Sequence, residues 1–286
     1  MTSMIKGSAR SGTKSKNRPI DVRPRPDYRS GMEEAVLLEV EGLSHGFGDQ
    51  RVLSEIDLRI APGEIVALIG ANGAGKTTLL RLIAGLLRPW RGVLRFGGRL
   101  LEGASVEARR AMAYLPEGPP LYEEMRVREF LDFRASLKGI PRHQRSKRVD
   151  GVLEQSAVGQ VQTRIIGQLS RGFRQRVGIA DALLGQPRLV LLDEPGSGLD
   201  PLQLEAMYAL FRSLSSSTAF LLSSHHLREL EIFCDRVLLL HGGRKVGEFA
   251  PNAFVGDARS EEGTSPFARR CLDEMRRAMV LEESKG

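Results

Sequence analysis

The sequence predicts an α/β protein: a parallel sheet with covering helices, joined to an antiparallel β-subdomain and interrupted by an inserted α-helical subdomain. Three observations predict it. Strand-like and helix-like textures alternate along the second half of the chain, as they do where βαβ units build a parallel sheet. The run EIVALIG, Glu64 to Gly70, is compact, apolar and feeds straight into a glycine-rich turn, as a strand buried on both faces would. Residues 121–167, by contrast, are charge-dense, with apolar residues at helical spacing and few β-branched runs.

The elements follow in order from residue 36. VLLEVEGL (36–43) and VLSEIDLRI (52–60) alternate apolar with polar residues, which predicts a half-solvated antiparallel pair. Pro62 and Gly63 mark a tight turn before the EIVALIG strand. Residues 76–87 read as a helix, because Leu79, Leu80, Leu82, Ile83, Leu86 and Leu87 supply a broad apolar face, and Pro89 stops it. The insert carries Val127, Phe130, Leu131 and Leu137 at helical spacing and breaks near Gly139 and Pro141. Strand texture returns in RLVLLD (188–193), AFLLSS (219–224) and RVLLLHGG (236–243), with helices expected at 202–213 and 227–233 between them. A short helix is expected near 267–280. There is no internal repeat.

A chain of 286 residues can bury a full α/β core. Its formal net charge of +7 sits mostly in residues 1–31, which hold eight Lys or Arg against two Asp, so a solvated extension is the expected reading, with a tail docking on acidic headgroups as the alternative. That basic tail is rich in Ser, Gly and Pro, is expected to be disordered, and lacks the apolar run of a signal peptide. The folded domain is expected over 32–250, with the helical subdomain inserted at about 117–168 and a C-terminal extension over 251–286. Cys234 and Cys271 lie far apart with no metal-ligand spacing, which disfavours a disulfide framework or a zinc site. No stretch reaches the roughly 20 consecutive apolar residues of a membrane span, so any membrane role must come through a partner.

The chemistry begins at GANGAGKTT, residues 70–78, which fits the P-loop pattern. Gly70, Gly73 and Gly75 let the backbone turn so that successive N–H groups, with those of Asn72, Ala74 and Thr78, face phosphate oxygens. Lys76 is expected to neutralise the β and γ phosphates, and Thr77 to offer its hydroxyl to Mg²⁺. The strand before and helix after complete the expected context, and the helix N-terminus adds partial positive charge. LVLLDEP (189–195) supplies the other half: four apolar residues set Asp193 at the carboxyl end of a buried strand, where an acid can hold the Mg²⁺ shell. Glu194 is placed next to it to polarise an attacking water. An apolar run ending in two acids is by itself a common strand end; its weight comes from the P-loop upstream.

Over residues 36–249 the chain resembles an ATP-binding cassette (ABC) ATPase, with the motifs in that family's order. LSRGFRQ (169–175) resembles the family signature LSGGQ, with Ser170 and Gly172 at its phosphate-contacting serine and second glycine. Arg171 replaces the first glycine and Phe173 the usual glutamine. The resemblance further implies that Phe47 stacks on adenine, that Asp200 in GSGLDP belongs to the D-loop near a dimer axis, and that His225, not His226, senses the γ-phosphate. It assigns Glu117 to the position where the family often has a Mg²⁺-ligating Gln, so a carboxylate here adds negative charge beside Asp193 and Glu194. Trp90, the single tryptophan, receives no role.

The resemblance implies a P-loop NTPase of the ABC type, with a RecA-like core, that binds and hydrolyses ATP with Mg²⁺. It further implies an ATP-driven dimer, either a homodimer or a pair with a paralogous cassette, in which the signature of one subunit closes over the ATP of the other. The expected partner is a separate integral-membrane permease, which would hold the chain at the cytoplasmic face of the membrane. The texture of GLLRPWRG, YLPE, VREFLDF and LSRGFRQR is similar to that of ABC-2 exporter cassettes. No nucleic-acid partner is expected. The alternative is a soluble ABC ATPase acting on DNA, ribosomes or iron–sulfur assembly; long coiled-coil insertions, zinc-binding cysteines and a second cassette, which mark several of those branches, are not in the sequence.

Overall fold

Alternation in the first two strands follows their half-solvated setting. In β2 (Gln50–Ile60), Ile56, Leu58 and Ile60 are buried while Glu55, Asp57 and Arg59 are exposed, and the strand pairs antiparallel with β1 (Leu38–Phe47), Leu38 facing Ile60. In this computed structural model, residues 36–101, 106–225, 227–251 and 265–283 are described, and side chains at 106–107, 227–229 and 281–283 are not. The expected basic tail at 1–31 and His226 lie outside the described residues.

Next come β3 (Ile65–Ile69), buried at every residue, and α1 (Lys76–Ile83). The helix ends before the expected Leu87: the chain turns at Gly85, with φ +73°, and Leu86 is exposed. β4 (Arg91–Phe96), β5 (Arg99–Leu100), α2 (Val106–Arg110) and β6 (Met112–Leu115) follow. The stretch read as helical holds α3 (Val127–Leu137) and α4 (Arg142–Gln155), separated around Gly139 and Pro141, then two single 3-10 turns. The remainder is α5 (Arg171–Leu183), β7 (Leu189–Leu192), α6 (Pro201–Leu214), β8 (Ala219–Ser224), α7 (Leu227–Phe233), β9 (Arg236–His241), β10 (Arg244–Phe249) and α8 (Pro266–Glu283).

Two sheets result. One has the order β2-β1-β4-β5 and is antiparallel; the other has the order β10-β9-β3-β8-β7-β6, parallel except for β10. Alternate residues of β3 serve different cores. Val66 and Leu68 pack with α1 and the antiparallel sheet, while Ile65, Ala67 and Ile69 pack with the insert and with α5 and α6. The parallel sheet is thus covered on both faces, which is why its strands read as unbroken apolar runs.

The insert is tied to α5 by charge. Arg134 grips both oxygens of Asp181, at 3.0 and 2.9 Å, and Lys138 stands 3.3 Å from the same carboxylate. The hydrogen bond to Asp181 raises the Arg134 pKa, whereas burial pushes the Lys138 ammonium below its ordinary range against the pull of Asp181. A bidentate Arg pair fixes orientation as well as distance, so α3 and α5 are held in a defined relation.

Candidate functional site

The glycine loop after β3 is shaped by its neighbours. Gly75 sits at φ +100°, and a Cβ there would stand 2.5 Å from Leu53 Cδ2 of β2, so only glycine fits. Lys76 follows as the first residue of α1 and is 7% exposed. Its Nζ donates to the Gly70 carbonyl at 2.8 Å and the Ala71 carbonyl at 3.3 Å, and lies 3.6 Å from Glu194 Oε1. A buried ammonium requires such partners.

One helical position on, Thr77 Oγ1 donates to Asp193 Oδ1 at 3.0 Å. Ser223, fully buried near the end of β8, donates to the same oxygen at 2.8 Å. The carboxyl ends of β7 and β8 therefore meet the start of α1 at Asp193. Thr77 and Asp193 bring hard oxygens together beside a fixed cation. That donor set suits Mg²⁺, which takes one or two carboxylates and completes its octahedron with phosphate and water.

Glu194 has φ +46°, uncommon for a residue other than glycine. Two bonds fix that backbone: its N–H donates to Ser223 Oγ at 2.7 Å, and its carbonyl accepts from the Ser197 N–H at 3.0 Å. The carboxylate is consequently turned between Lys76 and His225, whose Nδ1 lies 2.9 Å from Glu194 Oε2. A carboxylate held between a cation and an imidazole is an acceptor that can orient water.

The other expected site residues fall into separate groups. Ser170 caps α5, its oxygen accepting from the Phe173 N–H at 3.4 Å, and Asp200 caps α6, accepting from the Gln203 N–H at 2.9 Å. Gly172 is buried against the Gln203 side chain, so the two helix starts are packed together. Phe47 ends β1 with 54% of its surface exposed, edge-on to His45 at 5.1 Å, and Trp90 flanks His45 at 5.9 Å. Glu117, exposed two residues beyond β6, meets Ser197 rather than Asp193: the Ser197 hydroxyl donates to its Oε1 at 3.3 Å. On the loop, Asn72 and Gly73 are exposed, Ala74 is buried and Thr78 half-buried.

Sequence reasoning missed Ser223, Ser197 and Gln203. Only Ser223 left a signal: two serines close the otherwise apolar AFLLSS run just before His225.

The family model described as ABC transporter matches residues 53–197. EcsA, an ABC-type transporter ATP-binding protein of Bacillus subtilis, is 34% identical over 249 residues, covering 87% of this chain and 98% of its own. This chain belongs to the ABC transporter family.

Within the family it is similar to Nod factor export ATP-binding protein I of Ralstonia nicotianae, at 32% identity over 79% of this chain and 70% of that one. Among solved structures, cbiO1 of Clostridium perfringens, part of the ABC transporter complex cbiONQ, superposes with a TM-score of 0.73 at 26% identity. It covers 87% of this chain and all of its own. The fold is therefore that of an ABC ATPase, and the chain is an ATP-binding, ATP-hydrolysing transporter subunit. These relatives favour transport over the soluble, non-transport alternative. Among the described residues no helix is long and apolar enough to cross a membrane.

Proposed function

We propose that this ABC ATPase works as a head-to-tail dimer, with itself or with a paralogous cassette, that drives a separate membrane permease, in the export direction, from the cytoplasmic face. The P-loop, residues 70–78, would cradle the phosphates of one ATP while Phe47 stacks on its base. Thr77, Asp193 and Glu117 would face Mg²⁺, which when bound neutralises charge on the β and γ oxygens. Glu194 would hold the attacking water and His225 would sense the γ-phosphate. Little covalent chemistry is asked of the protein, so positioning and charge carry the catalysis. Ser170 and Gly172 would complete the ATP of the other subunit, with Asp200 near the axis. The observation that carries the ATP chemistry is the convergence of Thr77 and Ser223 on one oxygen of Asp193 beside buried Lys76. The export direction rests on similarity to the Nod factor export protein.

Ser170 tests the composite site, and its role as a helix cap shapes the test. Ser170→Ala removes the cap, at a cost of about 1 kcal/mol. Ser170→Asp keeps a capping oxygen but exchanges a donor for an anion. Both variants are expected to bind ATP normally as monomers, and Ser170→Asp is expected to melt as the parent does while its turnover falls by about 10²-fold. Normal turnover by Ser170→Asp would remove Ser170 from the partner's site.

The permease contact is proposed on the insert, where Tyr122, Phe133 and Leu137 are exposed and the Tyr122 and Phe133 rings stand 5.8 Å apart. Movement there reaches the signature through the Arg134–Asp181 pair. Phe133→Ser with Leu137→Ser is expected to abolish co-purification of the chain with an integral-membrane partner from detergent-solubilised membranes, with ATPase of the isolated chain within about twofold, since surface substitutions away from a site cost little. Retained co-purification would put the contact on another surface.

A further inference from the structure

Two residues that depart from the family pattern are charged, and their signs are opposite. Arg171 stands where the family has glycine and Glu117 where it often has glutamine, so a neutral pair is replaced by a charged one. The fold brings both to one side chain. Arg171 Nη2 donates to Ser197 Oγ at 3.0 Å, and that hydroxyl donates onward to Glu117 Oε1 at 3.3 Å. The guanidinium lies closely over the D-loop backbone: a Cβ on Gly198, where φ is +71°, would fall 2.6 Å from Arg171 Cζ. A side chain at 198 would displace it.

We propose that Arg171 is a positioning residue that acts through Ser197 on Glu117, holding the carboxylate at the D-loop and offsetting its charge. The reason is electrostatic. The Asp193 N–H donates to the Leu115 carbonyl at 2.9 Å, which sets the end of β6 beside the metal-side acid, and Glu117 follows two residues later. A third carboxylate at this end of the sheet, added to Asp193 and Glu194, strengthens cation binding and repels the phosphates. A guanidinium linked to that carboxylate by one hydroxyl reduces both effects. Arg171 also adjoins Ser170 at the start of α5, so the residue that restrains Glu117 is on the helix proposed to serve the other subunit's ATP.

The inference rests on the metal-side reading of Glu117, and the experiment separates the two. The full chain is kept dilute and monomeric, so no signature from a partner contributes. Binding of a fluorescent non-hydrolysable ATP analogue, mant-AMPPNP, is followed while Mg²⁺ is titrated, and thermal melts verify the fold of each variant. Glu117→Gln is expected to raise the half-saturating Mg²⁺ concentration. Arg171→Gln is expected to lower it by about threefold, the size appropriate to an exposed, water-screened pair. In the Glu117→Gln background the Arg171 effect is expected to shrink to less than half on a logarithmic scale. Arg171→Lys, which keeps the charge, is expected to stay close to the parent. Ser197→Ala, which breaks the bridge and leaves both charges, is expected to shift the midpoint in the same direction as Arg171→Gln, and it carries the test if Arg171→Gln does not fold.

No shift for Arg171→Gln, or an equal shift in both backgrounds, overturns the proposal. If Glu117→Gln itself leaves the Mg²⁺ dependence unchanged, the metal-side reading fails and the inference falls with it. If Glu117→Gln shifts the midpoint and the Arg171 and Ser197 variants do not, only the inference fails.

Discussion

Glu194→Gln is expected to lower ATP turnover by about 10²- to 10⁴-fold, the range for loss of a positioned proton acceptor, while ATP binding persists. The amide has nearly the carboxylate's shape, and the backbone at 194 is fixed by Ser223 and Ser197, not by the side chain. What disappears is the acceptor charge between Lys76 and His225. Binding without hydrolysis should in turn accumulate the closed dimer, visible as an ATP-dependent doubling of mass in size-exclusion chromatography with light scattering. A variant that binds ATP, fails to turn it over and remains monomeric would count against the shared-site proposal. One that turns over normally would remove Glu194 from the chemistry.

Lys76→Ala is expected to act one step earlier, on affinity. Lys76 Nζ is buried on the Gly70 and Ala71 carbonyls, next to where the P-loop pattern puts the phosphates. A hydrogen bond to a charged group contributes about 1.5–3 kcal/mol, so binding should weaken by about 10- to 150-fold, read by calorimetry on the isolated chain. Lys76→Arg should not rescue it. The guanidinium is larger than the ammonium and presents a planar fork where the compact ammonium sits buried on the Gly70 and Ala71 carbonyls. Recovery of ATP affinity in Lys76→Arg would show that charge alone, and not the fit of the ammonium, is what the loop requires.

The nucleotide half of the fold was legible because its physics is local. IVALI and LVLL are apolar at every position as β3 and β7 are buried on both faces, and GANGAGKTT carries its glycines where the backbone must bend. Four strands were not legible. β5 has only two residues, β4 and β10 are partly solvated and mix charged residues and glycine with apolar ones, and β6 (MAYL), though apolar and as long as β7, is only half-buried and carries no glycine loop or acid pair at its end to single it out. Leu86 and Leu87 extend the apolar pattern of α1 past Gly85, where the backbone turns, so the pattern overruns the helix.

The sequence by itself determined the class of machine. The P-loop, the strand-end acids and the LSRGFRQ run each contain their chemistry in consecutive residues, and backbone preference and hydrophobicity act over such short spans. Only the tertiary structure decided which side chains meet. Ser223 joins Asp193, Ser197 joins Arg171 to Glu117, and Gln203 packs on Gly172 because separate strands and helices converge at one end of the parallel sheet. Hydrogen bonds and ion pairs across such convergences depend on distances near 3 Å between residues far apart in sequence, and linear spacing does not specify those distances.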